Sequence, residues 1–351
     1  MTENVVVTGA AGMVGSHFIR AVLMETNWTV TAVISLDHRG RVERLERAVD
    51  GLDASRVTVI PADLSKPLTT ATASSMTSLG PTYIVDFASK SSVVESLADP
   101  VGFITNNVAC TLTILEYART LPDLKMLIHF STDEVAGPMY NDRPFKEDDV
   151  HKPSSPYACS KSAQSQICFA YWRSFNLPIV ETYGSNILGE DQLEEDKFLP
   201  MVMKKVGHGE SVPIHVDMFG KPGTRYYQHA RNAASALLFI MAHSPVNMYT
   251  PAQNVEQVPT RYNITSGDRV DNLTLAGMIA GAIGLPLKWH PVSFHASSHG
   301  AGHDPHYGLD GSRLRELGWV PPVSLAEGVA RTVTYELAKQ RELYKDERLV
   351  A

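Results

Sequence analysis

The chain has 351 residues, 44% of them hydrophobic and 20% charged, enough for one large α/β unit or two domains with a substantial core. Its formal net charge of -7 argues against nucleic acid or an anionic membrane as a partner, since either requires a basic surface. Cys110, Cys159 and Cys168, an odd set at unrelated spacings, read as reduced thiols of a cytoplasmic protein, and neither a secretion signal nor an apolar run of membrane-spanning length is visible.

Taken in chain order, Val5–Val7 reads as a short buried strand, 16–26 as a helix and about 29–35 as a second strand. Three further apolar runs, Val57–Pro61, Tyr83–Phe87 and Lys125–Phe130, read as strands buried on both faces. Helical periodicity occupies 103–120 and 157–175, and Ile179–Tyr183 reads as the next strand. Strand and helix alternating in this way predict a doubly wound parallel sheet. After about residue 186 the pattern changes, with long Gly/Pro-containing stretches at 207–224, 244–260 and 290–308. The expected division is 1–185 for the sheet unit and 186–351 for a smaller mixed α/β lobe over its C-terminal edge, with interleaved segments. Lys339–Arg348 reads as a charged terminal helix with a solvated face.

Gly9, Gly12 and Gly15, with Met13 and Val14 among them, stand between the first strand and its helix. Glycines there allow a tight turn and close approach of backbone to a pyrophosphate, which predicts a Rossmann-type dinucleotide site. The spacing is Gly-x-x-Gly-x-x-Gly, not the commoner Gly-x-Gly-x-x-Gly. Asp37 stands where an acidic ligand to the ribose 2′-hydroxyl of NAD is expected, whereas Ser35, Arg39 and Arg41 nearby would accept the 2′-phosphate of NADP. NAD is favoured and NADP stays open. Asp63, just before Leu64, suits either a hydrogen bond to the adenine or a helix N-cap.

Tyr157 and Lys161 are four residues apart on one helix face, after Pro156 at the helix start. An ammonium beside a phenol favours phenolate, so the pair predicts a general base near neutral pH. Ser131-Thr132-Asp133-Glu134 closes the strand at Lys125–Phe130, at the carboxyl edge where such sheets bind ligands. A hydroxyl and two carboxyls in succession can point into one cleft there, the alternative being a helix-capping cluster.

With these residues the sequence resembles the extended short-chain dehydrogenase/reductase family, and within it the nucleotide-sugar 4,6-dehydratases. The likeness runs through the glycine motif, Ser131–Val135, Ser155–Lys161, Ser185-Asn186, Lys197–Pro200, Gly302–Asp304 and Tyr307–Asp310. It implies that Tyr157, aided by Lys161 and Thr132, takes the proton of the sugar C4 hydroxyl while hydride passes to the cofactor. Glu134 would then remove the C5 proton while Asp133 protonates the departing C6 hydroxyl, and hydride would return to C6. The resemblance puts Leu64, Ala88, Ser89 and Ser131 beside the cofactor. It puts Lys90, Asn186, Lys197, Phe198, Leu199, Pro213, His215, Arg225, Asn263, His303 and Tyr307 around a nucleotide sugar, a dTDP- or UDP-hexose being favoured. It also implies a homodimer through the helices at 103–120 and 157–175.

The sequence departs from that group in places. Ala136 replaces a tyrosine, Lys90 a glutamate and Ser92 a histidine, Ser298–Ala301 lacks an arginine, and Arg225-Tyr226-Tyr227-Gln228 replaces an Arg-Asp-Trp segment. These changes gather around the sugar and diphosphate, implying the same chemistry on a different or modified sugar, or an elimination that stops at a 5,6-alkene. His290, His295, His299, His303 and His306 are expected to belong to a loop closing over the nucleotide, with no metal. Two other readings stay open: an epimerase or decarboxylase that needs Tyr157 and Lys161 but not the two carboxyls, and a dinucleotide-sensing regulator that needs neither pair.

Overall fold

Residues Asn4–Thr8 form β1, buried along its whole length, as an apolar strand must be when helices cover both faces of a parallel sheet. The computed structural model describes residues 2–35, 40–139, 142–192, 194, 196–251, 256–294 and 304–347, with side chains as far as 341. After β1 come α1 (Met13–Glu25), β2 (Thr29–Ile34), α2 (Val42–Val49), β3 (Val57–Pro61), α3 (Thr70–Thr77), β4 (Tyr83–Asp86), α4 (Val93–Ala98), α5 (Pro100–Ala118), β5 (Met126–Thr132), α6 (Pro156–Phe175) and β6 (Ile179–Gly184). The second part supplies β7 (Asn186–Leu188), α7 (Phe198–Gly207), β8 (Val212–Val216), β9 (Thr224–His229), α8 (Ala230–His243), β10 (Thr260–Ile264), β11 (Arg269–Asp271), α9 (Asn272–Ile283), β12 (Trp289–Ser293), α10 (Ser312–Glu316) and α11 (Leu325–Glu347).

Seven strands form one parallel sheet in the order β10-β6-β5-β4-β1-β2-β3. The strand order reverses between β1 and β4, so a crevice opens at their carboxyl ends, the place where doubly wound sheets bind ligands. Helices α1 and α8 cover one face and α5 and α6 the other, each over its own apolar cluster. The second part also supplies the first with α8, β10 and α10, whose Leu314 lies in the same core as α1. The small lobe consists of β7, β9 and β11, the pair β8 and β12, and helices α7, α9 and α11 around a third core.

Two expectations need correction. Strand β3 is not buried on both faces: it is the sheet edge, with Thr58, Val59 and Pro61 exposed. The charged terminal segment is not a helix of its own either, although its Gln340 and Arg341 are exposed. It is the end of α11, whose Leu325, Val329 and Val333 are buried in the lobe core and whose Lys339 pairs with Asp191.

Candidate active site

The turn between β1 and α1 depends on its glycines. Gly9 sits at φ +58°, and a Cβ there would lie 3.0 Å from the Phe87 carbonyl. A Cβ on Gly15 would lie 2.5 Å from Gly9 O. Helix α1 begins with no side-chain cap, leaving its amino terminus to an anion from outside the chain. Facing it is a cavity of about 490 Å³, lined by Gly9, Gly12, Met13, Val14 and Gly15 on one side and by Asp63, Leu64, Ala88 and Ser89 on another. A bare amino terminus, glycines whose side chains would collide with backbone, and a cavity of ligand size together fit a dinucleotide pyrophosphate.

Beneath the cavity, buried polar groups join the strands. Thr8 Oγ1 donates to Asp86 Oδ1 (2.6 Å) and accepts from the amides of Phe87 and Ala88 (3.1 Å each), and His129 Nδ1 lies 3.0 Å from Asp86 Oδ2. Burial works to raise the Asp86 carboxyl, but the His129 and Thr8 hydrogen bonds hold it below its usual value.

The same cavity reaches Ser131, Thr132, Asp133 and Glu134 at the end of β5, and Tyr157 and Lys161 at the start of α6. Ser155 caps α6 by accepting from Ala158 N (3.1 Å), and Pro156 occupies the first helical turn, so Tyr157 enters the site on a fixed helix end. Thr132 Oγ1 donates to Asp133 Oδ1 (3.1 Å) and accepts from Glu134 N (3.4 Å). Burial pushes the Asp133 carboxyl up to about 6. Burial and then the Asp133 charge push Glu134 up to about 7. Asp133 Oδ2 and Glu134 Oε2 are buried with no hydrogen-bond partner among the described residues. Near neutral pH such a pair holds one proton between two carboxyls, an acid beside a base.

Lys161 Nζ donates to Phe130 O (2.8 Å), and burial lowers its pKa to about 8 against the pull of Asp86. The expectation of a phenolate at Tyr157 is not met by the protein's own groups. Burial and the Glu134 charge raise the phenol well above its ordinary value, and a hydrogen bond with Thr132 offsets only part of this. Tyr157 therefore needs a further positive charge nearby before it can act as a base.

Comparison with known proteins agrees with this layout. Residues 5–255 match the NAD dependent epimerase/dehydratase family. The chain belongs to that family. Membership establishes an enzyme of the extended short-chain dehydrogenase/reductase type with NAD as its cofactor. The chain is 30% identical to a dTDP-glucose 4,6-dehydratase of Streptomyces griseus, over 95% of this chain and 94% of that one. It superposes on the dTDP-glucose 4,6-dehydratase DesIV of Streptomyces venezuelae, solved with NAD and TYD bound, at a TM-score of 0.79 and 28% identity, covering 95% and 97% of the two chains. A UDP-glucose 4-epimerase of Thermus thermophilus, solved with NAD, superposes at 0.78 with 23% identity over 95% and 98%, a likeness of fold alone.

Within the family frame, the remaining expected residues divide into groups. Lys90, Asn186 and Lys197 line the cavity, with Lys197 Nζ donating to Ser91 O (2.7 Å) and Asn186 Oδ1 buried without a partner among the described residues. Asp63 lines it as well, but its carboxylate accepts from Ser65 N and Oγ in a local turn, not as a helix N-cap. Asp37 and His303, like His295 and His299, lie outside the described residues.

Other residues are not brought to the cavity. Leu199 is buried in the lobe core and Phe198 packs against it. Pro213 and His215 lie on β8, where the His215 ring is 5.5 Å from Phe294. Asn263 spends its amide on Phe145 O (2.8 Å) and Asp310 O (3.1 Å). Arg225 donates to the carbonyls of Thr224, Asp304 and Pro305, with its guanidinium 4.5 Å from the Tyr307 ring centre. Tyr307 Oη donates to Asp304 Oδ2 (2.9 Å). These three hold the 304–310 segment in place, and Arg225 and Tyr307 are near enough to Glu134 to act on its charge.

Sequence inspection missed Asp86 and His129, and also Asn107, which accepts from Lys90 N (2.7 Å) and donates to Lys90 O (3.1 Å) and Ser160 Oγ (2.8 Å). For Asp86 and His129 the signal was a polar residue inside an otherwise apolar run. It also missed Arg44, Gln192 and Glu194, which line the cavity from outside the glycine motif.

Proposed function

We propose that the protein is a nucleotide-sugar 4,6-dehydratase acting on a dTDP- or UDP-hexose. The observation that carries this reading is the Asp133–Glu134 pair, buried, with raised pKa values and unspent oxygens, in the same cavity as Tyr157 and Lys161. An epimerisation at C4 needs the tyrosine and the lysine only. A 5,6-elimination also needs a base for the C5 proton and an acid for the C6 hydroxyl.

In this reading NAD, bound along the glycine turn, supplies the two-electron acceptor from which the hydride later returns. Tyr157, ionised once a further positive charge such as that of oxidised NAD offsets its burial, would accept the proton of the C4 hydroxyl, with Thr132 orienting it and Lys161 placed behind it by Phe130 O. The C4 ketone acidifies C5, and Glu134 takes that proton. The pair shares one proton near neutral pH; in the form that carries it on Asp133, that carboxyl protonates the C6 hydroxyl, which leaves as water, and Glu134 returns a proton to C5 once C6 is reduced. Lys90, Asn186 and Lys197 face the nucleotide sugar, and Lys90, where the resemblance implies a glutamate, adapts the site to a different sugar.

The test is incubation with a panel of dTDP-, UDP-, GDP- and CDP-hexoses followed by mass spectrometry. Loss of one water from one donor, without net consumption of NAD, is expected. In Glu134→Gln the elimination should fall by about 10²–10⁴, the usual contribution of a general base. Undiminished loss of water in that variant would remove Glu134 from the elimination, and conversion of a donor with no change of mass would assign the protein to the epimerases.

A further inference from the structure

Beyond β7 the chain passes between the starts of α1 and α8 on its way to the cavity wall. A Cβ on Gly189 would sit 3.4 Å from Met13 Sδ, and Gln192 and Glu194 line the dinucleotide cavity together with Arg44. In the middle of this strap Asp191 is held at φ +63°, a left-handed conformation uncommon outside glycine. It is 1% exposed, and its polar atoms are all engaged by two distant helices.

From α2, Arg44 donates to Asp191 O through Nε (3.0 Å) and Nη2 (2.8 Å), and Arg47 Nε donates to Oδ2 (2.5 Å). From α11, Lys339 Nζ donates to Oδ1 (2.5 Å), Tyr335 Oη donates to Oδ2 (3.1 Å), and Glu336 Oε1 accepts from Asp191 N (2.7 Å). Arg44 Nη2 also donates to Glu194 Oε1 (2.7 Å), so the hub connects directly to the cavity wall. Arg47, Tyr335, Glu336 and Lys339 do not line the cavity. A carboxylate is buried stably only when it is fully paired, and strained backbone persists only where its surroundings impose it.

We propose that Asp191 is a positioning residue for the cofactor: it fastens the strap over the bound dinucleotide to α2 and α11, so that NAD stays in place from one turnover to the next. Retention has a chemical purpose where hydride leaves the sugar and must return, because loss of the reduced cofactor in between strands an oxidised sugar. The proposal rests on the family's cofactor and holds for dehydration or epimerisation alike.

The test uses full-length protein loaded with NADH, and follows release by fluorescence after mixing with excess NAD. Lys339→Met, away from the cavity, should release NADH roughly tenfold faster, as for loss of one charge-assisted hydrogen bond. Lys339→Arg should restore slow release, and Asp191→Asn should exceed Lys339→Met. Turnover at saturating NAD should be unchanged in Lys339→Met, which separates weaker retention from general damage. Release within about twofold of the parent protein in Lys339→Met overturns the proposal, since double-mutant coupling of a real contact exceeds that. Equal losses of retention and of saturated turnover also overturn it, and if Asp191→Asn fails to fold the lysine variants decide alone. A protein that binds no NADH removes the premise instead.

Discussion

Two carboxyls side by side at the end of β5 are costly to the fold, and their cost has a sign. Glu134 has a folded-state pKa of about 7 against an ordinary 4.5, mainly through burial. A raised carboxyl keeps its proton in the folded chain over a range where the unfolded chain has lost it. Its contribution is therefore fully present below about pH 4.5 and is lost as pH rises through about 7. Glu134→Gln should then leave stability nearly unchanged at pH 4.5 and raise it at pH 8 by about 1–3 kcal/mol. Urea titrations at the two pH values check this, and a gap of the same size at both would show that the carboxyl's charge is not the cause. Activity should follow the one-proton form of the pair: below about 6 both carboxyls are protonated and the base is lost, and above about 7 both are ionised and the acid is lost. These residues were legible because they are neighbours in the chain or one helical turn apart. Asp86, His129 and Asn107 were not, because they meet only when separate strands and helices come together. Arg225, Asn263 and Tyr307 show the opposite limit: a sequence displays a polar side chain but not the carbonyls or the carboxylate that hold it in place.

At the scale of elements, the helix that delivers Tyr157 was readable from its first two residues, a capping serine and a proline at the first turn. Ser155 is buried and satisfies the amide of Ala158, one residue beyond the tyrosine. Ser155→Ala should cost about 1 kcal/mol of stability, the usual cost of a lost cap. Because the freed turn carries Tyr157, kcat should fall while KM for the sugar nucleotide holds, and Ser155→Thr should recover both. Denaturant midpoints beside steady-state kinetics decide it: a loss of stability with kcat intact would make the cap structural only. Strand β3 was misread because an apolar run has the same appearance at a sheet edge as at its centre, and only the pairing with β2 alone makes it an edge. The length of α11 was missed because its apolar first half and charged second half look like different segments until both are seen against the lobe.

For the molecule as a whole, one pair of helices has an inner face accounted for and an outer face that is not. Helices α5 and α6 lie against each other on one side of the sheet, tied by Gln164 Nε2 to Asn107 O (2.9 Å) and Thr111 Oγ1 (2.7 Å). Their outward stripes, Val108 and Leu112 on α5 and Ala163, Ile167 and Ala170 on α6, are partly or fully exposed and short or aliphatic. Small and aliphatic residues at helical spacing let a second helix pair approach closely, giving a four-helix packing between two copies. We therefore expect a homodimer about this face. Light scattering at micromolar concentration should give twice the chain mass. The double variant Leu112→Arg with Ala170→Arg should give the mass of one chain, since it places like charges where the copies would meet. Lys161 and Tyr157 begin α6, so the monomeric variant should melt lower and turn over more slowly while still binding NAD at the glycine turn after β1. A parent protein that runs as a single chain would leave this face to another partner, and unchanged mass in the double variant would move the dimer contact elsewhere.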